Sequence, residues 1–207
     1  MLTFYYAAGT CALASHLALE HAGARYEAVR LDFKAQQQRS PEYLRVNPKG
    51  RVPALATDRG VLTETPALLQ FIAQSFPESG LAPLDDAFLL AKMNEFNAYL
   101  CATVHVNHAH KGRGYRWVEP EDTAAIEAMR RKVPRTMTES FTLIEEQMLQ
   151  GPWVLGERFS TCDLYLFTIA GWLEGDGVDI ARFPKVADHY RRVQALPAAQ
   201  KVLALHG

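Results

Sequence analysis

No stretch of this sequence stays apolar for the roughly 18 positions that a bilayer-spanning helix needs, so no membrane span is expected. Neither sign of charge is in excess: 22 Lys plus Arg stand against 23 Asp plus Glu, a net charge of −1. That balance removes the broad positive field that nucleic acid or an anionic membrane would require, and leaves a small molecule or another protein as the expected partner. Cysteine is scarce. Cys11, Cys101 and Cys162 are odd in number and widely spaced, which excludes a disulfide framework and points to free thiols in a reducing cytoplasm. The opening "MLTFYYAAGT" has no basic segment followed by an apolar run, so no secretory leader is expected. There is no internal repeat and no low-complexity tract.

What is present is an ordinary supply of core-forming residues: 48% of the 207 are hydrophobic, enough for one large domain or two small ones sharing an interface. "LTFYY" reads as a buried strand that stops at Ala-Ala-Gly, and residues 11–21, "CALASHLALEH", read as an amphipathic helix closed by Gly23. "YEAVRLDF" alternates as a second strand over residues 26–33, and "SPEYLRVNP" reads as a short helical turn. In "GRVPALATDRGVLTE" two short strands, 52–56 and 61–63, flank an Asp-Arg-Gly turn. In "TPALLQFIAQSF", Thr65 is expected as the N-cap of a helix with Pro66 at its first position.

The composition changes at "PESGLAPLDD", and everything after it carries apolar residues at three- and four-residue spacing. The expected organisation is an α/β domain over residues 1–78 (βαβ followed by ββα), a linker over 79–86 and an all-α helical domain over 87–207.

Cys11 stands where the first strand turns into the first helix. A helix N-terminus stabilises a thiolate, but a free cysteine is often a small buried hydrophobe; position alone leaves both readings open. Ala14 stands where a C-x-x-C motif would need its second cysteine, so Cys11 would have to act with an external thiol. Val52-Pro53 is an X-Pro bond at the start of a strand, open to the cis state. The segment "HVNHAHKGRGYRW" gathers His105, His108 and His110 ahead of Arg113, Tyr115, Arg116 and Trp117. His105 and His108 share a helix face, a possible but incomplete metal geometry, and the basic and aromatic residues suggest a cleft wall for an anionic or aromatic molecule or, equally, a solvated loop. Ser160 and Asp163, three residues apart ahead of "LYLF", form the signature of a capping box. Cys162 and Cys101 are expected in the core.

The element order, the cysteine at the first strand-to-helix turn and Val52-Pro53 together resemble the thioredoxin-like fold. The helical domain behind it narrows the resemblance to the soluble glutathione transferases, and "GTCALASH" looks like the bacterial beta class. "VNPKGRVPAL", "LTET", "ATVH" and "GERFSTCDLYLF" follow in family-like order over essentially the whole chain. The resemblance implies a cytoplasmic homodimer with a role in detoxification. It would take glutathione as co-substrate, use no metal, and transfer the thiol to a small hydrophobic electrophile held by the helical domain. Cys11 would contact the glutathione sulfur with Tyr6 close by; Ala12 replaces a serine common in relatives. A cis Val52-Pro53 would pair its backbone with the cysteinyl unit. Glu64 would take the γ-glutamyl ammonium and Thr65 its carboxylate, with Lys34 or Gln36 near the glycyl end. His105 would face the cleft, although His110-Lys111-Gly112 fits the same motif with a gap. A mixed disulfide at Cys11 would give thiol-disulfide reductase activity. The rival reading is a non-catalytic carrier of glutathione or apolar ligands; a histidine metal site is a third.

Overall fold

The computed structural model describes residues 1–206. Four strands, β1 (Leu2–Tyr6), β2 (Tyr26–Arg30), β3 (Ala54–Thr57) and β4 (Gly60–Thr63), form one sheet in the order β2-β1-β3-β4. β1 and β2 are parallel, with Leu2 opposite Tyr26, and are joined by helix α1 (Ala12–His21); β3 runs antiparallel to both β1 and β4. Helices α2 (Pro41–Val46) and α3 (Thr65–Ser75) complete the βαβ-ββα unit. The bounds differ from the sequence reading where side chains intervene. β2 stops at Arg30 because the Asp32 carboxylate accepts from the Lys34 and Ala35 amides and turns the chain. Thr65 is the first residue of α3 rather than its cap; Glu64 holds that position and makes no side-chain capping bond.

After α3 the chain is helical: α4 (Ala87–Tyr99), α5 (His105–Arg113), α6 (Thr123–Leu143), α7 (Thr161–Ala170), α8 (Pro184–Gln194) and α9 (Pro197–His206). α4 and α5 are joined without a break by a π-helical turn over Leu100–Val104. Every residue of α7 is buried, and it packs on α1, α4 and α8, so it ties the helical domain to the thioredoxin-like one. Its start is fastened by the capping box expected at Ser160 and Asp163. One Asp163 oxygen accepts from the Ser160 amide at 2.8 Å; the other accepts from the Val154 amide at 2.8 Å and faces His189 Nε2 at 3.0 Å. α9 returns to α1, with Lys201 bound to Glu20 at 2.6 Å and His206 Nε2 lying 2.9 Å from His16 Nδ1. No helix among the described residues is long and apolar enough to cross a membrane.

Candidate active site

The site begins with the segment before β3. The Arg51 carbonyl is clasped by the Tyr43 hydroxyl at 2.6 Å and the Asn47 amide at 2.7 Å. Gly50 adopts φ +58°, where a Cβ would meet the Gln38 carbonyl oxygen at 2.9 Å, so only glycine fits the approach. The chain then enters β3 through a Val52-Pro53 bond that is cis, as expected from the sequence. The Val52 amide finds no acceptor among the described residues, which leaves a donor free for a ligand backbone.

Cys11 lies opposite. Its thiol donates to the Val52 carbonyl oxygen at 3.8 Å and is nearly buried, 9% exposed. The helix-terminus effect does not produce a thiolate in this setting. The Ala12 amide is satisfied by the Thr10 hydroxyl at 3.3 Å, and a carbonyl acceptor favours the protonated sulfur. Burial pushes the thiol up to about 11, against a weaker lowering by a hydrogen bond with the Thr65 side chain.

Glu64 and Thr65 follow from β4. Glu64 sits at φ 74°, a backbone conformation that a residue with a side chain rarely adopts and that clusters at functional sites. Its carboxylate is paired with Lys49, which also donates to the Thr63 hydroxyl at 2.6 Å. Thr65 is buried. Lys49 had no role in the sequence reading; its signal was only its place in "NPKGR".

Two expectations are corrected. Tyr6 does not border the cleft. It lies on the same face of β1 as Phe4, is 5% exposed, packs on His16 and His206, and turns its hydroxyl toward the Leu205 carbonyl at 3.5 Å. Lys34 is exposed in the Asp32 turn and lies outside the cleft lining; Gln38 and Arg39 line that side instead.

The facing wall is helical. The π-helical turn swings Cys101 into the cleft lining rather than the core, beside Tyr165 of α7. Tyr165 lines the cleft and is fully buried; its hydroxyl has only the weak Cys101 thiol as a neighbouring partner among the described residues. His105 and His108 both line the cleft; His110 instead packs edge-on against Trp117. Burial holds the His105 imidazole down to about 4, helped by the nearby His108, Arg116 and Arg51, so it is neutral at physiological pH. His108 stacks on Trp172 at 4.2 Å and meets the buried Asp176 carboxylate at 2.7 Å; Lys111 stands 3.5 Å from the other Asp176 oxygen. Asp176, far from these residues in sequence, carried no local signal. No group of three metal-ligating side chains gathers among the described residues. The two walls enclose about 1250 Å³, more than the ~300–1,000 Å³ that one ligand fills.

Comparison with known proteins agrees with this geometry. The N-terminal domain of glutathione S-transferase matches residues 1–74, and its C-terminal domain matches residues 123–192. A glutathione transferase homologue from Sulfitobacter, crystallised with bound glutathione, is 43% identical, with a TM-score of 0.95 over 99% of this chain and 98% of its own. A bacterial beta-class glutathione S-transferase from Sphingomonas chungbukensis is 27% identical, with a TM-score of 0.85 over 99% of this chain and 98% of its own. Glutathione S-transferase GstA of Escherichia coli O157:H7 is 28% identical over 100% of this chain and 99% of its own length. The chain belongs to the glutathione S-transferase family.

Proposed function

We propose that this chain binds glutathione along the Val52 edge of the sheet and transfers its sulfur to an electrophile held by the helical wall. The observation that carries this reading is one cleft bounded by Cys11, Val52, Glu64 and Thr65 on the sheet side and by Cys101, His105 and Tyr165 on the helical side. Val52 and Pro53 supply the backbone edge, Glu64 a carboxylate for the γ-glutamyl ammonium, and Thr65 a hydroxyl and the start of α3 for its carboxylate. Cys11, kept protonated by its surroundings, is a donor: its S–H hydrogen-bonds the glutathione thiolate and lowers that thiol's pKa. His105, neutral, donates an N–H to the sulfur or the leaving group. Holding both reactants in one cleft turns a bimolecular encounter into a local one.

A protonated Cys11 favours conjugation over a covalent mixed disulfide. The chain is also read as a cytoplasmic homodimer serving detoxification. Support for the dimer comes from Phe88, 76% exposed on α4; Phe96, by contrast, is internal. Replacing Phe88 with Glu is expected to halve the mass seen by light scattering. The test of function is a calorimetric titration of untagged protein with reduced glutathione at neutral pH, followed by conjugation to 1-chloro-2,4-dinitrobenzene. Saturation near one site per chain and turnover support the reading; no binding at millimolar glutathione defeats it.

A further inference from the structure

We propose that the electrophile taken by this site is anionic: a flat aromatic carboxylate carrying a leaving group, held by Arg113 and Arg116 beside Trp117. The inference rests on the transferase reading above and narrows the hydrophobic electrophile to a charged one.

The first observation is the charge on the cleft. In a chain with net charge −1, one cleft gathers Arg39, Arg51, Lys111, Arg113, Arg116 and Arg130 against only two carboxylates, Glu64 and Asp176. Both carboxylates are engaged, Glu64 by Lys49 and Asp176 by His108 and Lys111. Arg130 is paired with Glu127 at 2.9 Å. Arg39, Arg51, Arg113 and Arg116 have no carboxylate within ion-pairing distance among the described residues.

The second observation is how these arginines are grouped. Arg116 is held below its ordinary value by burial and by the charges of Arg51, across the cleft, and Arg113, opposed by the Tyr115 hydroxyl, which is hydrogen-bonded to both Arg113 and Arg116. Like charges brought together on a partly desolvated wall repel, and an anion between them relieves that repulsion. A guanidinium meets a carboxylate through two parallel N–H bonds and also stacks on aromatic faces.

The third observation separates this subsite from the one assigned to glutathione. Cys11, Val52, Glu64 and Thr65 belong to the thioredoxin-like domain, whereas Arg113 ends α5 and Arg116 ends the 3₁₀ turn that follows. Tyr115 and Trp117 alternate with them and are 46% and 43% exposed, open faces for an aromatic ring. The reaction that fits is aromatic substitution. The sulfur lone pair forms a C–S bond at the ring carbon bearing chloride, the C–Cl bond breaks with its electron pair leaving on chloride, and the thiol proton passes to solvent; nothing is oxidised or reduced.

The test compares 4-chloro-3,5-dinitrobenzoate with its methyl ester at saturating glutathione and low ionic strength. Each kcat/KM is divided by the uncatalysed rate constant. The acid is expected to be favoured by about tenfold, the worth of one charge-assisted bidentate contact, with the preference shrinking as salt is added. In an Arg113→Gln, Arg116→Gln double variant the acid-to-ester ratio should fall about tenfold while the calorimetric affinity for glutathione is kept. Equal use of acid and ester by the unmodified protein overturns the proposal. So does a double variant whose ratio does not move. The unreactive 3,5-dinitrobenzoate and its methyl ester, titrated without glutathione and read by tryptophan quenching, separate the two readings. Preferential binding of the acid by a protein that fails to bind glutathione would leave the anion subsite standing and the transferase reading fallen; equal binding by a protein that does bind glutathione would reverse the two.

Discussion

The Cys11 thiol donates to the carbonyl oxygen of Val52 at 3.8 Å, so the two residues placed nearest the expected sulfur of glutathione are already joined to each other. With the thiol pushed up to about 11, only about one part in ten thousand is thiolate at pH 7. Alkylation of Cys11 by iodoacetamide, followed by peptide mass spectrometry, is therefore expected to rise about tenfold per pH unit from pH 7 to 9. A rate already level at pH 7 would mean a thiolate and would favour the covalent role.

Tyr165→Phe removes a buried hydroxyl whose neighbouring partner is the weak Cys101 thiol. A thiol repays little of the ~1–3 kcal/mol that desolvating a hydroxyl costs, so the variant is expected to melt at about the same temperature or higher. Its kcat/KM for conjugation should nevertheless fall, by roughly tenfold to a hundredfold, if the hydroxyl donates to a ligand sulfur in the complex. A drop in melting temperature together with unchanged activity would assign Tyr165 to packing alone.

His16, His105 and His206 are each held down to about 4, first of all by burial. Unfolded, they titrate near 6.5, so between about 4 and 6.5 the unfolded chain binds more protons than the folded one, by up to three. Their contribution to stability is complete above about pH 6.5 and is lost as pH falls toward 4. The His16–His206 contact at 2.9 Å has room for one N–H between the rings, so protonating both breaks it. Urea unfolding at pH 7, 6 and 5 should show stability declining with a steepening slope; a flat profile over that range would contradict the burial argument.

Asp163→Ala leaves the Val154 and Ser160 amides and His189 without their acceptor inside the protein. A loss of about 3 kcal/mol or more is expected, since buried donors left unpaired carry their full desolvation cost. Asp163→Asn, which retains one oxygen, should recover part of it. Chemical denaturation of the two variants measures both; an alanine variant within 0.5 kcal/mol of the parent, the ordinary range of ~0.5 for surface changes, would contradict the role given to this carboxylate.

Local patterns located much of this. Gly9, Cys11 and Gly23 delimit the first helix, the Val52-Pro53 step opens β3, and Ser160 with Asp163 starts α7, because each depends on neighbours within a few residues. The errors came where distance in sequence mattered. Alternation puts Tyr5 and Tyr6 on opposite faces of β1 but does not say which face meets α1, and Tyr6 went to the core. Cys101 reads as a core position at regular helical spacing; the wider π turn shifts it into the cleft. Lys49 pairs with Glu64 across 15 positions, beyond the reach of any local pattern. Asp176 meets His108 across 68 positions, and no short-range pattern could have paired them.

The return of α9 to α1 bears on how the chain is made. β1 and α1 are synthesised long before α9, so a face of α1 stays bare until the residues around His206 have emerged and closed over it. Synthesis at ~5–20 residues per second leaves that face without its cover for roughly ten seconds or longer. The nascent chain thus holds that face of α1 uncovered through most of translation, and a fusion that displaces α9 is expected to lower the yield of folded protein before it alters function.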